Sequence, residues 1–125
     1  DKEGWNIGVR VLSIMNAIEQ NEHDYADSLI LNLRQFMREG LKGVEVRMRD
    51  KLILELLIEL RKKSYDFEEV SELKTDTLDQ LALNDMEHGW TLQTPEMICF
   101  HTWFADKVKE QRYTPDYRLP YIYKV

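Results

Sequence analysis

The residues best suited to chemistry are a few carboxylates, two histidines and one cysteine in the C-terminal half of the chain. Asp85, Glu87 and His88 lie close together, and Cys99 and His101 are two positions apart. Metal sites on helices place ligands at i and i+3 or i+4, and only Asp85 and His88 have this spacing. A metal-dependent hydrolase would need His101 as a further ligand. We favour a solvated acidic turn, with no metal and no other cofactor.

Cys99 and His101 are the remaining candidates for a nucleophile and its base. On one helix, side chains two positions apart point about 200° away from each other, so we predict that they do not pair. Cys99 is then a buried thiol that packs as a small apolar group. The sequence also lacks the glycine-rich phosphate loops and the nucleophile elbow of known enzyme classes. We therefore predict a protein that is not an enzyme.

Composition and charge narrow the class of protein further. The 125 residues are 43% hydrophobic and 32% charged, with 3 Pro and 5 Gly, which is typical of one globular helical domain. The net charge of −6 argues against nucleic acid or an anionic membrane as a partner. Arg47, Arg49 and Lys51 would support nucleic-acid binding only if that basic side of the chain were uncovered.

Two further features bear on where the protein is found. The apolar run in 52–58 is interrupted by Glu55 and is much shorter than the roughly 20 residues of a membrane span. Cys99 is the single cysteine, which excludes an internal disulfide and fits a reducing compartment. We expect a cytoplasmic protein.

Apolar residues recur at steps of three and four in five segments, which predicts five helices. The first, 5–20, has two adjoining apolar lines that predict burial around much of its circumference: Trp5, Val9, Leu12 and Met15, and beside them Ile7, Val11, Ile14 and Ile18. The second, 25–37, has one apolar line. A short polar break separates these two helices, so we predict an antiparallel hairpin.

The third predicted helix, 44–63, is apolar nearly all round in 52–60 and is expected at the centre. Asp66 with Glu69 forms a candidate capping box that opens a fourth helix. Its predicted buried residues are Phe67, Val70, Leu73, Leu78, Leu81 and Ala82. Thr94-Pro95 predicts the start of a fifth helix, with Met97, Ile98, Phe100, Phe104 and Val108 on its buried side. Charge differs between these segments, because 34–63 is basic and 66–96 is acidic. We interpret this as complementary helix rims, the alternative being an acidic docking face.

Several fragments resemble the C-terminal part of the degenerate tetratricopeptide-like helical-repeat proteins of Bacteroidetes. They are the hairpin sequence of residues 18–29, from Ile18 to Leu29, the segment Leu33-Arg34-Gln35-Phe36-Met37, and the aromatic centre of the last helix, Phe100-His101-Thr102-Trp103-Phe104. The resemblance covers about the first four-fifths of the chain by order of elements. It implies a solenoid end whose last helices shield the core of the array. A second copy of the motif one period later is absent, so a ligand groove is not transferred.

The chain is therefore predicted to be all-α, with antiparallel hairpins in 1–111 and an extended tyrosine- and proline-containing tail in 112–125. It begins at Asp1 without a methionine, and we expect it to be a fragment of a longer protein. A candidate interaction surface consists of Trp90, Trp103, Tyr113, Tyr117, Tyr121 and Tyr123. We favour the alternative that these aromatic residues cap the last hydrophobic groove within the chain.

The predicted function is a noncatalytic helical scaffold that binds a protein or peptide. The upstream part of the same polypeptide is one candidate partner. The alternative function is a C-terminal accessory or regulatory domain of a larger enzyme or signalling protein.

Overall fold

Six α-helices account for most of the residues that the structure, a computed structural model, describes, which are 2–40, 46–88 and 99–113. In chain order they are α1 (Lys2–Glu19), α2 (His23–Gln35), α3 (Met48–Lys62), α4 (Phe67–Leu73), α5 (Thr75–His88) and α6 (Phe100–Tyr113). A π-helical turn, Phe36–Gly40, extends α2. These described ranges contain no strand, and the predicted all-α class is confirmed.

The predicted first hairpin is formed by α1 and α2. Asn21 follows α1 with a positive φ of 58°, a conformation that asparagine tolerates better than most residues. The N–H of Glu22 donates to the carbonyl of Ala17 at 2.9 Å, which closes a Schellman motif and satisfies the end of α1. The chain reverses within a few residues, so α1 and α2 pack against each other as antiparallel neighbours.

The first helix is covered on one side only. The predicted line of Ile7, Val11, Ile14 and Ile18 is buried, and Met15 joins it. Trp5 is 43% exposed and Val9 is 49% exposed, so the prediction of burial around much of the circumference was wrong. The reason is that α1 packs chiefly against α2, which covers a single face.

The third helix lies at the centre, as predicted. It packs against α2, α4 and α5, and its buried apolar residues are Leu52, Ile53, Leu56, Leu57 and Leu60. It begins at Met48 rather than near residue 44, because Arg47 has an extended backbone with φ −61° and ψ 144°. A hydrogen bond of 2.5 Å from the Thr77 hydroxyl to the Glu55 carboxylate joins α5 to α3.

The predicted fourth helix is two helices. The chain leaves α-helical geometry at Lys74, and the Thr75 hydroxyl donates to the carbonyl of Ser71 at 2.9 Å. That carbonyl would accept a backbone N–H in a continuous helix, so the side chain competes with the backbone at this point. Leu73, the last residue of α4, is 54% exposed and Ala82 on α5 is exposed, against the prediction that both are buried. Phe67, Val70 and Leu81 are buried as predicted, and Leu78 is partly buried.

The start of α4 confirms half of the predicted capping box. Asp66 Oδ1 accepts a hydrogen bond from the N–H of Glu69 at 3.0 Å. The Glu69 carboxylate instead lies 3.5 Å from Lys63 Nζ, at the end of α3. A second cap comes from α6, where Gln111 Oε1 accepts from the N–H of Phe67 at 2.7 Å. These contacts fix α4 against both α3 and α6.

Tyr65 fastens the connection between α3 and α4 to the first hairpin. Its φ is +64°, a backbone conformation that is strained for tyrosine. Its side chain is buried. The hydroxyl donates to Asp27 Oδ1 at 2.5 Å, and the ring lies 4.5 Å from that of His23. Burial, together with this hydrogen bond to a carboxylate, raises the pKa of Tyr65 well above its usual range.

The last helix begins later than the sequence predicted. Cys99 is not helical, and α6 begins at Phe100. The proposed start at Thr94-Pro95 lies outside the described residues, as do Met97 and Ile98. Phe100, Phe104 and Val108 are buried as predicted, and α6 continues to Tyr113. Of the predicted tail, 114–125 lies outside the described residues.

Candidate functional site

Trp103 is the member of the predicted aromatic surface whose side chain the structure describes. Its indole Nε1 donates to Glu19 Oε1 at 2.8 Å, and its ring meets that of Phe67 edge-on with centroids 5.4 Å apart. Lys107 Nζ lies 3.3 Å from the same Glu19 oxygen. Trp103 therefore joins α6 to the end of α1. Tyr113 ends α6 without a described side chain, and Trp90, Tyr117, Tyr121 and Tyr123 lie outside the described residues.

Of the candidate metal ligands, the structure describes the side chain of His101. Asp85, Glu87 and His88 belong to the last turns of α5, where the structure describes the backbone and not the side chains. The proposed group of these residues with His101 therefore lies outside the described side chains. Among the residues that the structure does describe, no group of three or more metal-ligating side chains comes together.

The side chains of Cys99 and His101 are in contact, which contradicts the prediction that they do not pair. Cys99 Sγ lies 3.3 Å from His101 Nδ1. The prediction assumed that both residues lie on one helix. Cys99 instead immediately precedes α6, so the angle between helical side chains two positions apart does not apply to this pair. This contact was not predictable from the sequence, because the helix start was predicted five residues earlier.

Arg49 completes the cluster from α3. Its side chain is only 8% exposed, and its Nη1 donates to the carbonyl of Leu81 on α5 at 2.9 Å. Its Nη2 lies 3.1 Å from His101 Nδ1 and 3.9 Å from Cys99 Sγ. Arg49 thus connects α3, α5 and the start of α6. In the sequence Arg49 is one of three neighbouring basic residues, with Arg47 and Lys51, and their spacing does not indicate this role.

The protonation of His101 follows from these contacts. A guanidinium only donates hydrogen bonds, so a hydrogen bond between Arg49 and His101 uses Nδ1 as the acceptor, which assigns the ring proton of a neutral imidazole to Nε2. The same Nδ1 lone pair faces the Cys99 thiol. Because Nδ1 has a single lone pair, the guanidinium and the thiol compete for it as donors.

The sulfur has two further sources of positive potential. The Thr102 hydroxyl donates to Cys99 Sγ at 3.4 Å. The carbonyl of Cys99 accepts the N–H of Trp103 at 3.1 Å, which places Cys99 at the N-cap of α6. The first N–H groups of α6 and the positive end of its helix dipole lie at this position. We name Arg49, Cys99, His101 and Thr102 the thiol cluster.

The same arrangement changes the interpretation of the basic segment in α3. Arg47 makes two hydrogen bonds to the Asp50 carboxylate, at 3.0 and 2.9 Å, and Arg49 points into the protein. Lys51 is the exposed member of the three. Arg47 and Arg49 are therefore both engaged in contacts within the fold.

An apolar groove lies beside the thiol cluster, between α5 and α6. Its volume is about 370 Å³, and His101 belongs to its lining. Phe104 and Val108 form its floor with Leu78, and the small side chains of Ala82 and Ala105 leave its mouth open. The rest of its lining is Ser71, Lys109 and Arg112. We name this feature the α5–α6 groove.

Polar groups at the α5–α6 groove are concentrated on α6. Lys109 is exposed, and it makes no ion pair with any residue that the structure describes. Arg112 Nε lies 3.6 Å from Glu68 Oε1, with both side chains about half exposed. His101 stands at the opposite end. The groove is thus apolar along its length and has a basic rim on one side.

The chain matches no protein-family model, no curated protein and no solved structure. The resemblance to tetratricopeptide-like repeats therefore stays a prediction from the sequence. None of the helices within the described ranges has the length and apolar character that crossing a membrane requires.

Proposed function

We propose that this chain is a noncatalytic helical interaction module, and that the α5–α6 groove binds a segment of a partner protein. The observation that supports this most directly is the groove itself, which exposes apolar surface between two helices and has few polar groups in its lining. Contiguous apolar depressions of this kind are typical of sites that receive apolar side chains of a partner. The cytoplasmic location and the helical-repeat class predicted from the sequence belong to the same proposal.

The occupant that fits best is a short amphipathic helix. His101 and Arg112 are eleven positions apart on α6, so the groove runs for about 16 Å along that helix. Apolar side chains at i, i+3 or i+4, and i+7 of a bound helix span about 10 Å, which this length accommodates. A helix of about three turns would place one apolar face over Phe104 and Val108.

The charge of the rim favours an acidic partner. Lys109 and Arg112 border the groove on α6, although the chain as a whole has a net charge of −6. Carboxylates on the flanks of a bound helix would lie near these two side chains. Because such rim pairs are exposed, they mainly set orientation and partner choice, and they weaken with added salt.

A pair of synthetic peptides tests this proposal. The first is a labelled helix of about 14 residues with leucine at i, i+3 or i+4 and i+7 and glutamate at most other positions. The second has lysine in place of every glutamate. Fluorescence anisotropy should show saturable binding of the acidic peptide at micromolar concentration, and weaker binding of the basic peptide.

Matched variants locate the binding site. Ala105→Glu fills the mouth of the groove and adds a charge that repels the acidic peptide, so we expect affinity to fall at least about tenfold. Asn16→Glu adds the same charge at an exposed position of α1 and should leave affinity within about twofold. Equal affinity of both variants would place binding elsewhere and overturn the proposal. If the acidic peptide binds only after residues 114–125 are removed, the tail is the occupant of the α5–α6 groove, as the predicted internal cap requires.

A further inference from the structure

One side of α1 presents apolar residues to solvent. It consists of Trp5, Val9, Leu12 and Asn16, and we name it the α1 face. Trp5 is 43% exposed, Val9 is 49% exposed and Leu12 is partly buried. The four residues recur at steps of four, three and four, so they share about 60° of the helix circumference, opposite the buried line of the same helix. Alternating steps of three and four are the pattern by which two helices pack along a shared seam.

The α1 face is uncharged, although 32% of the residues in the chain are charged. Within 5–18, Arg10 is the one charged residue, and its guanidinium lies over the ring of Phe36, 4.2 Å from the ring centroid. The residues that flank the face on one side, Asn6 and Ser13, are exposed and neutral. Charged residues are depleted at the centre of protein interfaces. A neutral face also adds no like-charge repulsion when it meets a second copy of itself, although each copy has a net charge of −6.

The residues along this line are complementary to the same line running in the opposite direction. By helical spacing the line continues to Lys2 at one end and to Glu19 at the other. Two α1 helices that run antiparallel about a two-fold axis pair position 2 with 19, position 5 with 16 and position 9 with 12. Unlike charges then meet at both ends of the seam, whereas a parallel pair brings like charges together. We propose that the α1 face is the interface of a homodimer, in which the α1 helices of two copies pack antiparallel.

The inner pairs of this seam fit each other in chemistry. Val9 of each copy meets Leu12 of the other, which gives two apolar layers at the two-fold axis. Trp5 meets Asn16 of the other copy. The indole N–H of Trp5 makes no hydrogen bond with any residue that the structure describes, and a tryptophan that becomes buried needs an acceptor for this group. The side-chain oxygen of Asn16 supplies that acceptor in the antiparallel arrangement.

The size of the α1 face predicts a weak and reversible dimer. The 18 residues of α1 are about 27 Å long, on a helix about 10 to 12 Å in diameter. Covering nearly half of this circumference removes roughly 400 to 500 Å² of surface on each copy. The total of about 1,000 Å² is at the lower limit of specific interfaces. We therefore expect a dissociation constant of roughly 10 to 100 μM. This dimer does not depend on the α5–α6 groove having a partner, because the two surfaces share no residue.

Sedimentation equilibrium of the 125-residue chain, from about 1 to 500 μM, measures the dissociation constant. Val9→Lys puts a charge at the centre of the seam and should raise the dissociation constant at least about tenfold. Leu83→Lys is the matched control, because Leu83 is a 55% exposed apolar residue of α5, and it should leave the constant within about twofold. A chain that stays monomeric over the whole range would overturn the proposal. Dimerisation that Val9→Lys does not weaken would overturn it as well.

A mixture of two variants tests the direction of the helices. Val9→Lys and Leu12→Glu should each weaken self-association, and circular dichroism shows whether each variant is folded. In the antiparallel pair the two changed positions face each other, so an equal mixture of the variants should dimerise more strongly than either variant alone. A mixture of folded variants that associates no better than its components would rule out the antiparallel seam. A dimer that forms only after residues 114–125 are removed would also overturn the proposal, because the tail would then be the occupant of the α1 face.

Discussion

Replacing Leu56 with alanine tests the central position of α3. Leu56 is 0% exposed and belongs to the main hydrophobic core. Truncation removes three carbon atoms, which corresponds to a transfer free energy of roughly 2 to 2.5 kcal/mol. The surrounding helices close the resulting cavity only in part, so we expect the free energy of unfolding to fall by about 2 to 5 kcal/mol.

Thermal and urea denaturation measure this loss. For a domain of this size, each kcal/mol lowers Tm by about 4 °C, so the expected decrease is roughly 8 to 20 °C. The matched control is Leu73→Ala, because Leu73 is 54% exposed although the sequence pattern predicts it to be buried. An exposed leucine should cost less than about 0.5 kcal/mol. A cost under about 1 kcal/mol for Leu56→Ala, or a similar loss of stability in the two variants, would contradict the central position of α3.

Two further changes test local features of the fold. Asp66→Ala removes the N-cap of α4 and should lower the free energy of unfolding by about 1 kcal/mol, measured by urea unfolding. The control is Asp76→Ala in the first turn of α5, which removes a similar charge without a described cap and should cost less. Tyr65→Phe removes the hydrogen bond to Asp27 and should also cost about 1 kcal/mol at neutral pH. The raised pKa of Tyr65 means that the folded chain keeps this proton after the unfolded chain has lost it. Its contribution to stability is therefore complete below about pH 10 and decreases above it. The free energy of unfolding should accordingly fall less between about pH 8 and pH 11 in Tyr65→Phe than in the unchanged chain. Tyr25→Phe, at an exposed position, should show the same fall as the unchanged chain.

Periodicity predicted those features that depend on one helix and its most apolar face. The line Ile7, Val11, Ile14 and Ile18 is buried because any packing of α1 must cover its apolar side first. Leu56 and its neighbours are buried because 52–60 is apolar on nearly every side. The cap at Asp66 was predictable because side chain, backbone and spacing act within one turn.

Features that depend on how many neighbours a helix has were not predictable. Trp5 and Val9 are as apolar as the buried residues of α1, yet the hairpin leaves both exposed and buries only Met15 of their line. Leu73 keeps the helical spacing from Val70, yet it is the last residue of α4 and is 54% exposed. The sequence pattern indicates which residues favour burial, and the number of helices packed against them determines how many are buried.

The break at Lys74 also accounts for the α5–α6 groove. Gln111 holds α4 against α6, while Thr77 holds α5 against α3, so the two short helices have different principal partners. A continuous helix could not follow both directions. Because α5 leans towards α3, its contact with α6 is narrow, and the small residues Ala82 and Ala105 leave an apolar depression where a fuller helix pair would have closed it.

The thiol cluster arises at another helix end, where a one-residue difference decides which side chains meet. If α6 included Cys99, the thiol and His101 would lie on nearly opposite sides of the helix. Because α6 begins at Phe100, Cys99 is the N-cap and its sulfur turns towards the imidazole and towards Arg49 of α3. Arg49 is separated from these residues by about fifty positions, so only the tertiary fold brings it there. Both the α5–α6 groove and the thiol cluster thus depend on where helices end, and periodicity contains the least information at those points.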